Sequence, residues 1–296
     1  MRVILVAGFL ISSLGDVSEL FAGDTSAGQQ QAAQLDRELR VQMDYLLYLP
    51  PDYDEQDKWP LLLFLHGGGE RGDDLELLKT HGPPKQIAAG KQFPMIIVSP
   101  QCPEGQRWQS VTLLALLDEL CETLQVDQDR VYVTGLSMGG FGTWALAFDA
   151  PDRIAAIAPI CGGGETYWAK HITHIPVWTF HGELDEGIPV RRSREMVDAL
   201  KEKGADPKLT IFPGVGHICW AGAYEDPAFY EWLLAQKRQP KHEAQERRNQ
   251  CCNGHSLRPM NCSRHRLFLI TVRDSIYAAA AGWTPRIELV ERKPPG

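Results

Sequence analysis

The chain has 296 residues, 44% of them apolar, which is length and apolar content enough for a packed globular core. Its net charge of -8 is uneven, with 18 Lys/Arg against 33 Asp/Glu in residues 1–236 and 12 against 5 in residues 237–296. An acidic body repels phosphate backbones, so nucleic-acid binding by residues 1–236 is not expected, and only the basic tail carries an electrostatic case for it.

In chain order, "MRVILVAGFLISSLGDVSELFAG" opens on one Arg and an apolar run, Val3 to Leu14, too short to span a bilayer. It reads as a secretory signal over residues 1–22, with export to the periplasm or beyond as the consequence. Leu20 and Ala22 match the small-residue cleavage pattern only in part, and a frayed or membrane-anchored N-terminus is the alternative. Residues 23–40, polar and Gln/Ala-rich, read as a linker. No later run is long and apolar enough for a transmembrane helix, so no stable membrane insertion is expected.

The rhythm changes at Val41. "VQMDYLLYLPPDY" reads as one or two edge strands closed by a proline pair, and "WPLLLFLHGGG" as a buried strand running into glycines. "FPMIIVSPQC", "DRVYVTGLSMGG", "IPVWTFHGELDEGIP" and "KLTIFPGVGH" repeat that pattern. Between them lie helices expected over Val111 to Leu124, Gly139 to Phe148, Val190 to Lys203 and Pro227 to Gln236. Strands and helices alternating at this spacing predict an α/β fold, a mostly parallel sheet with helices on both faces, over residues 41–238.

Sites in such sheets sit at the carboxyl ends of the strands. Gly135-Leu136-Ser137-Met138-Gly139 fits the G-x-S-x-G elbow, in which a strand turns sharply into a helix and presents Ser137 at the helix N-terminus. The competing reading is a plain strand-to-helix turn with Ser137 as N-cap. A serine hydroxyl needs a base, and His217, on a Gly-flanked loop after the last strand, is the best placed of nine histidines. His66 and His181 also end strands, where an imidazole more commonly holds a loop. Asp185, beyond the turn after His181, is the carboxylate expected to orient His217; Glu183 and Glu186 are expected to face solvent. The order Ser137, Asp185, His217 is that of the α/β-hydrolase fold. The oxyanion of an acyl-transfer intermediate needs two donors: the backbone N–H of Met138 and one from His66-Gly67-Gly68-Gly69, with Gly68 favoured and Gly67 or Gly69 as alternatives.

Together "PLLLFLHGGGERGDD", "SPQCPEGQRW", "VYVTGLSMGGFGTW", "HGELDEGIP" and "GVGHICW" resemble the single-domain phospholipase/carboxylesterase group of the α/β-hydrolase superfamily. That group is close to polyhydroxybutyrate-depolymerase-like and feruloyl-esterase-like enzymes and to the prolyl oligopeptidase catalytic domain. The resemblance runs roughly from Val41 to Arg238. It implies a serine esterase with Ser137 as nucleophile, Asp185 as acid and His217 as base, and no cofactor.

Only about a dozen residues separate "IAAIAPICGG" from "IPVWTF", so no cap domain fits and an open site is expected. Such a site suits short acyl or aryl esters, free or borne on a polymer. Trp108 and Trp220 are the aromatics expected to touch substrate, while Phe141 and Trp144 read as core. A prolyl-oligopeptidase-like peptidase, or a non-catalytic binder on the same scaffold, is the competing function. The first lacks room for its usual extra domain, and the second would usually have lost a triad member.

After Gln239 the pattern breaks into a basic tail, residues 239–296, expected to be disordered or loosely appended. Its Cys251, Cys252, His255, Cys262 and His265 fit no standard zinc spacing, and no metal is expected. The seven cysteines, an odd number, leave at least one without an intrachain partner, and the sequence does not pair Cys102, Cys121, Cys161 and Cys219 of the body.

Overall fold

In a computed structural model of the chain, residues 30, 34–38 and 40–238 are described. The signal segment, most of the linker and the basic tail with its zinc-site candidates lie outside them. Seven strands form one sheet: β1 (Tyr45–Tyr48), β2 (Trp59–Leu65), β3 (Ile96–Pro100), β4 (Val126–Leu136), β5 (Ala156–Ile160), β6 (Trp178–Gly182) and β7 (Lys208–Phe212). Their order is β1-β3-β2-β4-β5-β6-β7. All neighbours run parallel except β1, which lies antiparallel on β3 at the sheet edge. Among the described residues six α-helices complete the domain: α1 (Gly82–Ala88), α2 (Ser110–Thr123), α3 (Met138–Asp149), α4 (Arg191–Glu202), α5 (Trp220–Glu225) and α6 (Pro227–Leu234).

Strand β2 shows why the sheet needs cover on both faces: all seven residues of "WPLLLFL" are buried. Its side chains alternate, so Leu61, Leu63 and Leu65 join one core cluster and Leu62 and Phe64 the other. The first cluster holds Leu113, Leu117 and Leu120 of α2, Trp144 of α3 and Met196 of α4. The second holds Tyr224 of α5 and Phe229 and Leu233 of α6. Each fully buried leucine in such a core contributes about 1.5–3 kcal/mol relative to exposure.

The four helices expected from sequence are present to within one residue at each end, except that α6 stops two residues short of Gln236. α1 and α5 were not anticipated. The connection between β5 and β6 holds a single 3-10 turn, Thr166–His171, and no cap. Arg238 closes the domain, its Nη2 donating to Asp129 Oδ1 at 2.6 Å. Among the described residues no helix is long and apolar enough to cross a membrane.

The topology fixes where a site can form. After β2 the chain crosses to β3 on one side and then returns to β4 on the other, so the order reverses between β2 and β4. A crevice opens at that reversal, outside the carboxyl ends of the two strands. The glycine loop after β2 and the Ser137 turn after β4 meet there.

Candidate active site

Ser137 stands between β4 and α3 with φ 52 and ψ -114. A non-glycine residue at positive φ is strained, by roughly 1–3 kcal/mol, and persists where its surroundings over-determine it. Here they do. The Ser137 N–H donates to Ile160 O at 3.0 Å, and Cys161 Sγ lies 3.3 Å from the same nitrogen. The turn also demands a close approach: an added Cβ at Gly139 would lie 1.9 Å from Leu65 O of β2. The serine side chain makes no helix-capping hydrogen bond, so the capped-turn reading has no support here.

Its hydroxyl is instead engaged by histidine. His217 Nε2 lies 2.9 Å from Ser137 Oγ, and His217 Nδ1 lies 2.7 Å from Asp185 Oδ2. A carboxylate only accepts, so Nδ1 carries the proton and Nε2 is left to accept from the serine. The loops bearing the two residues are tied to each other. Leu184 N–H donates to Val215 O at 2.8 Å, and Gly214 N–H donates to Glu183 Oε2 at 3.0 Å. Glu183 and Glu186 are both exposed.

Asp185 is buried, its carboxylate held from every side. Oδ1 accepts the N–H groups of Gly187 at 3.0 Å and Ile188 at 2.8 Å. Oδ2 has His217 and, at 3.2 Å, His181 Nε2. His181 is in turn fixed by Ser193 Oγ at 2.7 Å from Nδ1 and Ile188 O at 2.8 Å from Nε2. It supports the carboxylate from behind, as expected of a strand-end histidine that holds a loop.

The loop after β2 reaches the same crevice. His66 is buried, and its Nε2 accepts the N–H of Cys102 at 2.9 Å. The proton therefore sits on Nδ1, which donates to Gly67 O at 2.7 Å. Glu70 Oε2 lies 3.8 Å from Nδ1, but this is no ion pair because the ring is neutral. Burial, aided by the Arg71 charge and opposed by the Gly67 hydrogen bond, pulls the His66 pKa from 6.5 down to about 4. A histidine held neutral stabilises the fold above its unfolded pKa and loses that contribution as pH falls toward the folded value. His66 should therefore account for about 3 kcal/mol of the stability lost between about pH 7 and about pH 4 in denaturant unfolding, and His66→Gln should flatten that slope.

The two tryptophans expected at substrate are equally buried, one in each core cluster, and have different neighbours. Trp108 is 8% exposed and lies in the first core cluster, its indole N–H donating to His66 O at 3.1 Å. It packs against the glycine loop, its ring 4.8 Å from that of His66. Trp220 lies edge-on to His217, ring centres 5.6 Å apart, and to His81 at 5.2 Å. It borders the imidazole face. Phe141 is partly exposed and Trp144 is fully buried.

The four described cysteines are free. Burial raises the thiol pKa of Cys102 to about 11 and raises that of Cys161 well beyond the ordinary range. Neither is a thiolate nucleophile at neutral pH. Cys161, Asp185 and His217 offer metal-ligand atoms within 4.8 Å of one another, yet Asp185 and His217 are already committed to each other and to Ser137. Sequence reasoning missed Glu70, whose Oε2 accepts the Gly67 N–H at 2.8 Å. The signal was there, a glutamate three residues after a would-be N-cap.

Similarity to known proteins follows this geometry. Residues 105–239 match the dienelactone hydrolase family. A thermostable esterase of known crystal structure is 35% identical, with a TM-score of 0.60 over 69% of this chain and 61% of that one. An uncharacterized secreted protein of Arthroderma benhamiae is 27% identical over 204 residues, 55% of this chain and 22% of its own length. The bifunctional acetylxylan esterase/xylanase XynS20E of Neocallimastix patriciarum is 27% identical over 135 residues, 43% of this chain and 19% of its own length. The chain thus spans under a quarter of the length of either curated relative. By its sheet order and the placing of its site the chain has the α/β-hydrolase fold, and its residues 105–239, under half of its length, match the dienelactone hydrolase family.

Proposed function

We propose that the protein is a serine hydrolase that cleaves carboxylic esters through an acyl-enzyme on Ser137. The observation that carries this reading is the continuous relay from Asp185 through His217 to Ser137, with the serine oxygen on the imidazole. In the first half-reaction Ser137 Oγ attacks the ester carbonyl carbon while His217 Nε2 takes its proton. The carbonyl π electrons move onto oxygen, where the N–H groups of Met138 and Gly68 receive the charge. Collapse of the intermediate breaks the ester C–O bond, and His217 returns the proton to the departing alcohol. Water, deprotonated by the same imidazole, then hydrolyses the acyl-enzyme and releases the acid. Asp185 keeps the imidazole oriented and stabilises its cation throughout.

The substrate class follows from what surrounds the relay. Leu184 and Ile218, chain neighbours of Asp185 and His217, expose apolar side chains at 60% and 67%, and Trp220 flanks the imidazole. An uncapped site with such a rim suits short acyl or aryl esters, including esters presented on a polymer. Export is part of the same reading, supported by the apolar run Val3 to Leu14 and by the secreted relative. The test is a panel of p-nitrophenyl acetate and butyrate, methyl ferulate, acetylated xylan and a peptide anilide. Turnover of the esters with little of the anilide is expected. Faster cleavage of the anilide would replace this reading with a peptidase.

A further inference from the structure

We infer that His66, Glu70, Arg71 and Trp108 act together as positioning residues that select Gly68, among the three glycines after β2, as the oxyanion donor. This rests on the ester-hydrolase reading of the site. The argument is an accounting of three consecutive peptide units, each of which has one N–H and one C=O to place. All described peptide bonds are trans, so the N–H and C=O of each unit point in opposite directions.

The unit joining His66 to Gly67 is held at both ends. Its carbonyl accepts the Trp108 indole N–H at 3.1 Å, and its N–H donates to Glu70 Oε2 at 2.8 Å. Gly67 is thereby withdrawn as an oxyanion donor. In the next unit the Gly67 carbonyl is held by His66 Nδ1–H at 2.7 Å, and the opposite end, the Gly68 N–H, has no acceptor among the described residues. In the third unit Arg71 Nε–H donates to the Gly68 carbonyl at 2.9 Å, while Gly69 itself is exposed to solvent. The loop is pressed onto the elbow as well: a Cβ at Gly67 would lie 2.7 Å from Leu136 Cδ1, on the residue before Ser137. A Cβ at Gly68 would meet only Arg71 Nη2, at 3.8 Å, so the side-chain position of Gly68 is open.

The clamps are built to keep their state. In neutral His66 the Cys102 N–H, donating to Nε2, fixes the proton on Nδ1, from which the ring donates to Gly67 O. Gln101 Nε2 donates to the backbone oxygens of Glu70 and Asp74, both at 2.9 Å, and fixes the far end of the turn. Trp108 thus takes a role the sequence did not suggest, acting on the reaction through the carbonyl of His66.

The test compares full-length Glu70→Ala, Glu70→Gln and Trp108→Phe with the unaltered chain on p-nitrophenyl butyrate, with Ser137→Ala as the control for the hydrolase reading itself. Glu70→Ala and Trp108→Phe should lower kcat by about 10- to 100-fold with KM nearly unchanged, part of the cost of a lost oxyanion donor. A butyl trifluoromethyl ketone, which adds Ser137 to form a tetrahedral oxyanion, should lose affinity by the same factor. Glu70→Gln, which keeps an acceptor oxygen, should recover most of the loss. Wild-type kcat in both Glu70→Ala and Trp108→Phe, or a kcat loss with undiminished affinity for the ketone, would overturn the inference while leaving the hydrolase reading intact. Failure of the hydrolase reading shows separately, as a Ser137→Ala rate equal to that of the unaltered chain. One readout needs no turnover: by amide hydrogen exchange Gly67 should be protected and Gly68 unprotected in the unaltered chain, and Glu70→Ala should release Gly67. A protected Gly68 amide would contradict the assignment, and Trp108→Phe serves if Glu70→Ala does not fold.

Discussion

Ser137→Ala is expected to lower kcat on p-nitrophenyl butyrate by about a million-fold, leaving only the catalysis that the oxyanion donors and substrate binding supply. The magnitude follows from the relay acting as a unit. With no Oγ at 2.9 Å from Nε2, the imidazole has no proton to take from a nucleophile and no intermediate to protonate. Asp185→Asn should cost about 10⁴-fold by a different route. Asparagine can keep one oxygen on the N–H groups of Gly187 and Ile188, but it then presents an NH₂ toward His217 Nδ1. The imidazole is driven to the tautomer that protonates Nε2, which cannot accept from serine. Because both changes break one relay, the double variant should be about as impaired as Ser137→Ala alone. Steady-state rates, with thermal melts to confirm folding, decide this; additive losses would mean that the two residues act separately.

Gly139→Ala should damage the fold itself. The added methyl would lie 1.9 Å from Leu65 O and 2.7 Å from His66 O, backbone atoms at the junction of β2 with the glycine loop. Neither can yield without moving β2 away from the elbow, so a loss of at least about 3 kcal/mol is expected, at the upper end for overpacking. Gly69→Ala provides the contrast, since nothing lies within 4 Å of its Cβ position and its φ is not positive. It should change stability by less than about 1 kcal/mol. Urea unfolding of the two variants measures both, and similar midpoints would show that the elbow is looser than its geometry states.

Legibility followed the range of the interactions involved. β2 and the carboxyl-terminal half of β4 could be read because long apolar runs report burial on both faces, and Ser137, Asp185 and His217 could be proposed because each follows the carboxyl end of a strand expected from sequence. β1 was recognised as an edge strand, but its antiparallel pairing with β3 is a non-local choice that no local pattern encodes. α1 begins Gly82-Pro83-Pro84, which hides helical periodicity, and α5 has only six residues, too few to show one. The positive φ of Cys161 left no local signal, since cysteine is a rare choice for that conformation. Trp108 was ambiguous because an aromatic near strand ends suits a substrate wall and a core equally. Its partner, the carbonyl of His66, lies 42 positions away in sequence and becomes visible only in the fold.

The central claim is that Ser137 forms the acyl-enzyme, and the most direct measurement is to trap it. The protein is mixed with p-nitrophenyl butyrate, quenched in acid during the first turnover, digested and mapped by mass spectrometry. The account predicts one butyryl group, on Ser137, and none on that peptide in Ser137→Ala. A butyryl group on another side chain, or release of p-nitrophenol with Ser137 unmodified, would contradict it.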